Sequence, residues 1–205
     1  MPSQSRNSSA SHKALVVIDL INEMLDPNGK MSSAFCQYEQ QHQSLKCVAK
    51  LLSFARQHDW TVIHVRLGFS DDYREVAANS PLFSNAITHG ALTLSSWGCE
   101  FHPKVAPLAH EAIVVKRRVN AFYQTELALL LNLAKVTDIY LAGVSLQMAI
   151  QSTAREAHDR DFTVHVVTDA CISATDTEQQ QNLPALERIA KLITVANITH
   201  NHKEH

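Results

Sequence analysis

Six short apolar runs, spaced by stretches of helical pattern, constrain this chain more than any other feature. Ala14-Leu-Val-Val-Ile18 is unbroken and rich in β-branched residues. A strand with one wet face alternates apolar and polar residues, whereas a continuous run marks a strand covered on both faces, as in a parallel sheet. Comparable runs occupy residues 60–65, 112–115, 138–142 and 162–167, with a short one at 192–195. Helical patterns fall between them at 38–58, 124–134, 148–159 and 176–190, the first carried by Leu45, Val48, Leu51, Leu52 and Ala55. Strands alternating with helices predict an α/β fold of three layers, with helices on both faces of a six-stranded parallel sheet and right-handed crossovers. The 205 residues suit one domain, expected over 13–198, with a disordered Ser-rich tail at 1–12 and a polar tail at 199–205.

Charge and composition remove several function classes. A formal net charge of −2 offers no basic surface for nucleic acid. With five glycines and neither a GxGxxG nor a P-loop pattern, a dinucleotide or nucleotide-phosphate site of those kinds is not expected. Cys36, Cys47, Cys99 and Cys171 form no CxxC pair, so free thiols in a reducing compartment are expected. No apolar stretch has the length of a signal peptide core or approaches the ~20 residues that span a bilayer. The expectation is a cytoplasmic protein with a small-molecule partner, no nucleic-acid or membrane partner, and no cofactor.

In open α/β sheets ligands gather at the carboxyl ends of the strands. Two strands end there in a charge, at Asp19 after VVI and at Lys116 after IVV, and a third ends at Gly143 in a turn that opens a helix. Together they would form either an acid/base pair or a structural buried ion pair. Opposite charge favours the ionised forms and burial the neutral ones, so the sequence fixes neither pKa. Residues 67–111 hold three prolines, three glycines and little periodicity. Such a long connection tends to be functional, and it is expected to form a wall or lid of the site and a subunit contact.

The segments VVIDLINEML, VVKRRVNAFYQTEL and LAGVSLQMAIQSTAREAHDRDFTVHVVTDACIS resemble the isochorismatase-like hydrolase superfamily, in order and spacing, from Lys13 to Val195. The resemblance implies strand order 3-2-1-4-5-6, a site at the carboxyl edge, a cis peptide at Val144–Ser145 and a homo-oligomer. Amidohydrolase members of that superfamily use an Asp, a Lys and a Cys. The first two map onto Asp19 and Lys116, but the nucleophile maps onto Ala149, and the preceding Thr and Asn positions hold Leu146 and Gln147.

Without a thiolate at that position there is no covalent thioester route by the family's usual mechanism. Isochorismatases proper also have a small residue there and protonate a vinyl ether with the strand-end Asp, a role that Asp19 could fill. Their turn reads Gly-Val-Tyr-Ala-His, which Gly143-Val-Ser-Leu-Gln147 does not match. Nicotinamidases carry an Asp-x-His-x-x-His metal cluster near the second strand; here His64 stands alone, so no metal is expected. The turn residues Val144, Ser145, Leu146 and Gln147, together with Arg66, Trp97, Phe122 and Tyr123, are the candidate pocket lining. Ser145, Cys99 and Cys171 are lesser candidates for a relocated nucleophile. The expected function is a hydrolase acting on a small anionic metabolite by Asp/Lys chemistry without a cysteine. Its rival is an inactive relative that binds a metabolite or a protein.

Overall fold

A computed structural model describes residues 12–200. Its centre is a six-stranded, all-parallel sheet in the order β3-β2-β1-β4-β5-β6. The strands are β1 (Lys13–Ile18), β2 (Thr61–Leu67), β3 (Ala112–Lys116), β4 (Asp138–Val144), β5 (Thr163–Ile172) and β6 (Lys191–Ile193). The helices are α1 (Asn22–Leu25), α2 (Ser33–His42), α3 (Ser44–Gln57), α4 (Pro81–His89), α5 (Leu127–Leu133), α6 (Gln151–Asp159), α7 (Asp176–Leu186) and α8 (Val195–His200).

Two cores lie on opposite faces of the sheet, and β1 supplies both. Leu15 and Val17 join Leu45, Val48, Leu51 and Leu52 of α3, while Ala14, Val16 and Ile18 join Leu127 and Leu131 of α5 and Ala154 and Ala157 of α6. Because side chains alternate across a strand, an unbroken apolar run is needed to fill both layers at once. The register sets Ile18 opposite Val65 and Gly143, and Leu67 opposite Lys116, so the carboxyl ends of four strands form one edge.

Several element boundaries differ from the sequence expectation. The helix expected over 38–58 is two helices, because Gln43 adopts a left-handed conformation (φ 55°) and ends α2. Apolar spacing runs from Tyr38 to Leu45 to Leu52 without a break, so periodicity alone carries no trace of the kink. Strand β5 continues past the half-buried Thr168 and Asp169, which interrupt its apolar run, and its pairing shifts register beside Leu141 and Gly143. The last strand is shorter than expected and α8 follows it, reaching residues 199–200 of the expected tail. Residues 1–11 and 201–205 of the two expected tails lie outside the described residues.

The 67–111 connection is more ordered than its composition suggests. Helix α4 is capped by Ser80 Oγ, which accepts from Phe83 N (3.3 Å), starts at Pro81 and ends at Gly90 in the left-handed region. That cap, N1 proline and terminal glycine are a helix signature that apolar periodicity misses over nine residues. Phe83, Leu92 and Cys99 of this connection are buried. Leu82 and Trp97 remain exposed.

Candidate active site at the carboxyl edge

Asp19 follows Ile18 with φ 56°, a left-handed turn that swings its carboxyl back over the strand ends. One oxygen, Oδ1, accepts from Leu67 N at 2.7 Å, which fixes the group over β2. The other, Oδ2, lies 2.7 Å from Lys116 Nζ. Lys116 belongs to β3, two strands from β1, so its side chain must cross about two strand spacings of ~4.8 Å. A four-carbon stem is what makes the pairing possible. Lys116 also donates to Val119 O at 3.2 Å.

Both partners are almost wholly buried, Asp19 at 4% and Lys116 at 1% exposure. Burial raises the Asp19 pKa, outweighing the Lys116 charge and the Leu67 hydrogen bond that act to lower it. The carboxyl is therefore better able to hold a proton than a surface aspartate. Gly143 completes the edge: with φ 132°, a Cβ at this position would sit 2.0 Å from Ile18 O. Only glycine lets β4 turn away so close to β1.

The peptide Val144–Ser145 is cis, and residues Leu146–Ile150 form a π turn in which Ile150 N donates to Ser145 O. An α-helix was expected from residue 148; α6 begins only after this wider turn. Ser145 Oγ accepts from Met148 N at 3.3 Å. The turn directs Ala149 inward, where it borders a cavity of about 160 Å3. Asp19, Lys116, Val144, Ser145 and Ala149 all line this cavity, with Met24, Met31, Phe35, Leu67, Leu82, Phe83, Leu92, Val119 and Met148.

The other candidate lining residues lie elsewhere. Leu146 is packed in the core and Gln147 is exposed. Arg66 donates to Cys99 O at 2.9 Å and lies over the Phe101 ring. Phe122 is core, near Phe162 and beneath Arg160; Tyr123 and Trp97 are exposed outside the cavity. Strand-end position does not determine side-chain direction, and the period of two sends Arg66 and Leu67 to opposite faces. The lining holds one cation, Lys116, and it is paired with Asp19.

Neither alternative thiol is placed for attack. Cys99 and Cys171 are both fully buried, and burial pushes each thiol pKa up to about 12. Among the described residues no group of three or more His, Cys, Asp or Glu side chains is arranged to hold a metal ion. His64 pairs with Glu111 at 3.0 Å, away from the cavity. No described helix is long and apolar enough to cross a membrane.

Sequence reasoning overlooked Glu23, which is buried in α1. Its Oε1 accepts from Lys30 N at 2.6 Å and its Oε2 from Leu92 N at 3.4 Å. The carboxylate thus ties the loop carrying Met31 to the long connection carrying Leu92, so two walls of the cavity hang on one side chain. Its acidic character amid an apolar segment was the available signal.

The domain model for the isochorismatase family matches residues 13–197. The chain belongs to the isochorismatase family. The isochorismatase family protein YddQ of Bacillus subtilis is 32% identical over 172 residues, 84% of each chain. The ureidoacrylate amidohydrolase RutB of Cronobacter sakazakii is 23% identical over 180 residues, 82% of this chain and 78% of that one. Among solved structures, an isochorismatase family protein from Desulfovibrio vulgaris superposes with a TM-score of 0.82 at 24% identity, covering 94% of this chain and 98% of that one. The isochorismatase-family fold therefore accounts for the whole described sheet, and hydrolases are among its members.

Proposed function

We propose that this chain is an isochorismatase-family hydrolase that uses Asp19 as its proton donor and water as its nucleophile. The observation that carries the reading is a buried Asp19 carboxyl of raised pKa bordering the same cavity as Lys116 and Ala149, with no thiol in the lining. The ion pair is the resting state, and the fraction of Asp19 that burial keeps in the acid form protonates the substrate. Water then adds its oxygen to the electron-poor carbon and gives a proton back to the carboxyl; the bond from that carbon to the leaving oxygen or nitrogen breaks, the new hydroxyl becomes a carbonyl, and its proton departs with the leaving group. Lys116 holds the carboxyl in place and balances its charge after the proton leaves. Ala149 provides space where a thiol would otherwise stand.

The test is a panel of vinyl ethers, ureas and primary amides, assayed with the native chain, with cysteine-alkylated protein and with Asp19→Asn. Turnover that survives alkylation and disappears in a folded Asp19→Asn variant supports the reading; thiol-sensitive turnover would overturn it.

One observation favours a silent binding protein instead: both Asp19 oxygens are already engaged, by Leu67 N and Lys116 Nζ. In that case no substrate turns over, while a ligand still raises the melting temperature by binding the native state. We also infer a homo-oligomer, because Leu82, Ile87, Trp97, Leu129 and Leu133 remain exposed. A monomeric mass in light scattering at micromolar concentration would contradict this.

A further inference from the structure

We infer that the Asp19–Lys116 cavity takes a small, neutral and mainly apolar molecule of roughly benzene's size, with at most one hydrogen-bonding group. This rests on the reading above only in taking the cavity as the substrate site. The chain has four methionines, and three of them, Met24, Met31 and Met148, line this one cavity. Phe35, Phe83, Leu67, Leu82, Leu92, Val119, Val144 and Ala149 supply most of the remaining wall. Unbranched thioethers adapt their shape to a ligand, and their sulfurs make favourable contacts with aromatic rings.

Charge leads to the same class. The polar side chains of the lining are Asp19, Lys116 and Ser145. Asp19 and Lys116 compensate each other at 2.7 Å, so together they present a dipole rather than a net charge. No arginine lines the cavity. Arg66 donates to Cys99 O, Arg117 pairs with Glu75 at 3.3 Å, and Arg118 donates to Glu75 O and to Arg117 O. An incoming carboxylate would lose its hydration without gaining an unpaired cation, and it would meet the Asp19 charge. A neutral ligand avoids both costs. Size sets the scale: the volume is about 160 Å3, close to the roughly 150 Å3 of an apolar cavity that binds benzene.

The experiment compares benzyl alcohol with benzoate, matched in size and differing in charge, and includes glycerol as a neutral polar control. Binding is read by calorimetry and by 13C-methyl methionine NMR, on the native chain and on Asp19→Asn, so that turnover is not required. Benzyl alcohol is expected to bind at about 1 mM or tighter. It should shift the methyl signals of Met24, Met31 and Met148. Benzoate should bind at least about tenfold more weakly, as should glycerol. Met148→Lys, a change at an exposed rim residue, should bring an unpaired cation to the mouth and move the preference towards benzoate.

Benzoate binding as well as benzyl alcohol to the native chain would overturn the inference, as would absence of benzyl alcohol binding or shifts confined to other residues. The two proposals fail separately. Neutral-selective binding with no turnover across the panel removes the hydrolase reading alone. Turnover dependent on Asp19 together with a preference for anions removes this inference alone.

Discussion

Lys116 reaches across β2 to place its Nζ 2.7 Å from Asp19 Oδ2, joining the ends of two strands that are not paired with each other. A buried pair of this kind contributes less than its Coulomb attraction suggests, because both charges have lost their hydration. Removing one partner is a different matter. Lys116→Met leaves the aspartate uncompensated and is expected to cost about 3–5 kcal/mol in denaturant unfolding. The double variant Asp19→Leu/Lys116→Met should be more stable than the Lys116→Met single. A double variant no more stable would show that the pair is not coupled.

Asp19→Asn should be milder. The amide oxygen can still accept from Leu67 N or Lys116, but the Lys116 ammonium loses its counter-charge, so a loss of about 3 kcal/mol is expected with the fold retained by circular dichroism. Loss of the fold would show that the ion pair is an architectural requirement rather than a chemical device.

Acid should destabilise the protein through two buried histidines. Burial holds His64 and His165 below the ordinary value of 6.5, outweighing the raising effects of Glu111 and Asp138. Below about 6.5 the unfolded chain therefore takes up protons that the folded chain resists, and stability falls as pH drops towards the folded-state values. Urea midpoints measured from about pH 7.5 down to about pH 5 should decrease, and His64→Gln/His165→Gln should flatten the slope. A slope left unchanged by His64→Gln/His165→Gln would contradict the assignment, because the raised pKa of Asp19 acts in the opposite direction in both proteins.

The native thiols should be slow to react. Cys99 and Cys171 are fully buried with pKa values pushed up to about 12, and Cys36 is also buried. A thiol reagent at neutral pH should label at most the half-buried Cys47 rapidly, and all four after denaturation. Ala149→Cys should behave differently. Its thiol would face the cavity beside the Lys116 ammonium, which favours the thiolate, and it should alkylate faster than any native cysteine. Equal rates would mean that position 149 does not open onto the cavity.

Gly143→Ala tests the closeness of the two central strands. The added methyl would meet Ile18 O at 2.0 Å in a backbone conformation of φ 132°. A loss of about 3 kcal/mol or more is expected, read as a lowered melting temperature or as little soluble folded protein. A near-native melting temperature would show that β1 and β4 can separate there at little cost.

Much of the architecture is local in origin, and for that reason it could be read from the sequence. Ala14 to Ile18 had to be covered on both faces because all five residues are apolar, and runs of the same kind gave the other strands. The charges that end two of those runs marked Asp19 and Lys116 before any contact was known. What remained hidden depends on direction and on partners distant in sequence. Gln43 breaks a helix without disturbing its apolar spacing, and β5 resumes its pairing with β4 at Cys171 and Ile172, beyond an irregularity that holds Thr168 and Asp169. Arg66 and Leu67 are neighbours in sequence, yet only Leu67 faces the cavity, since side chains alternate across a strand. The chain alone shows that position 149 has no thiol. Only the tertiary structure decided that Ala149 meets Asp19 and Lys116 among three methionines, because that wall is assembled from α1, the loop before α2, the long connection and the π turn, whose contacts no local pattern encodes.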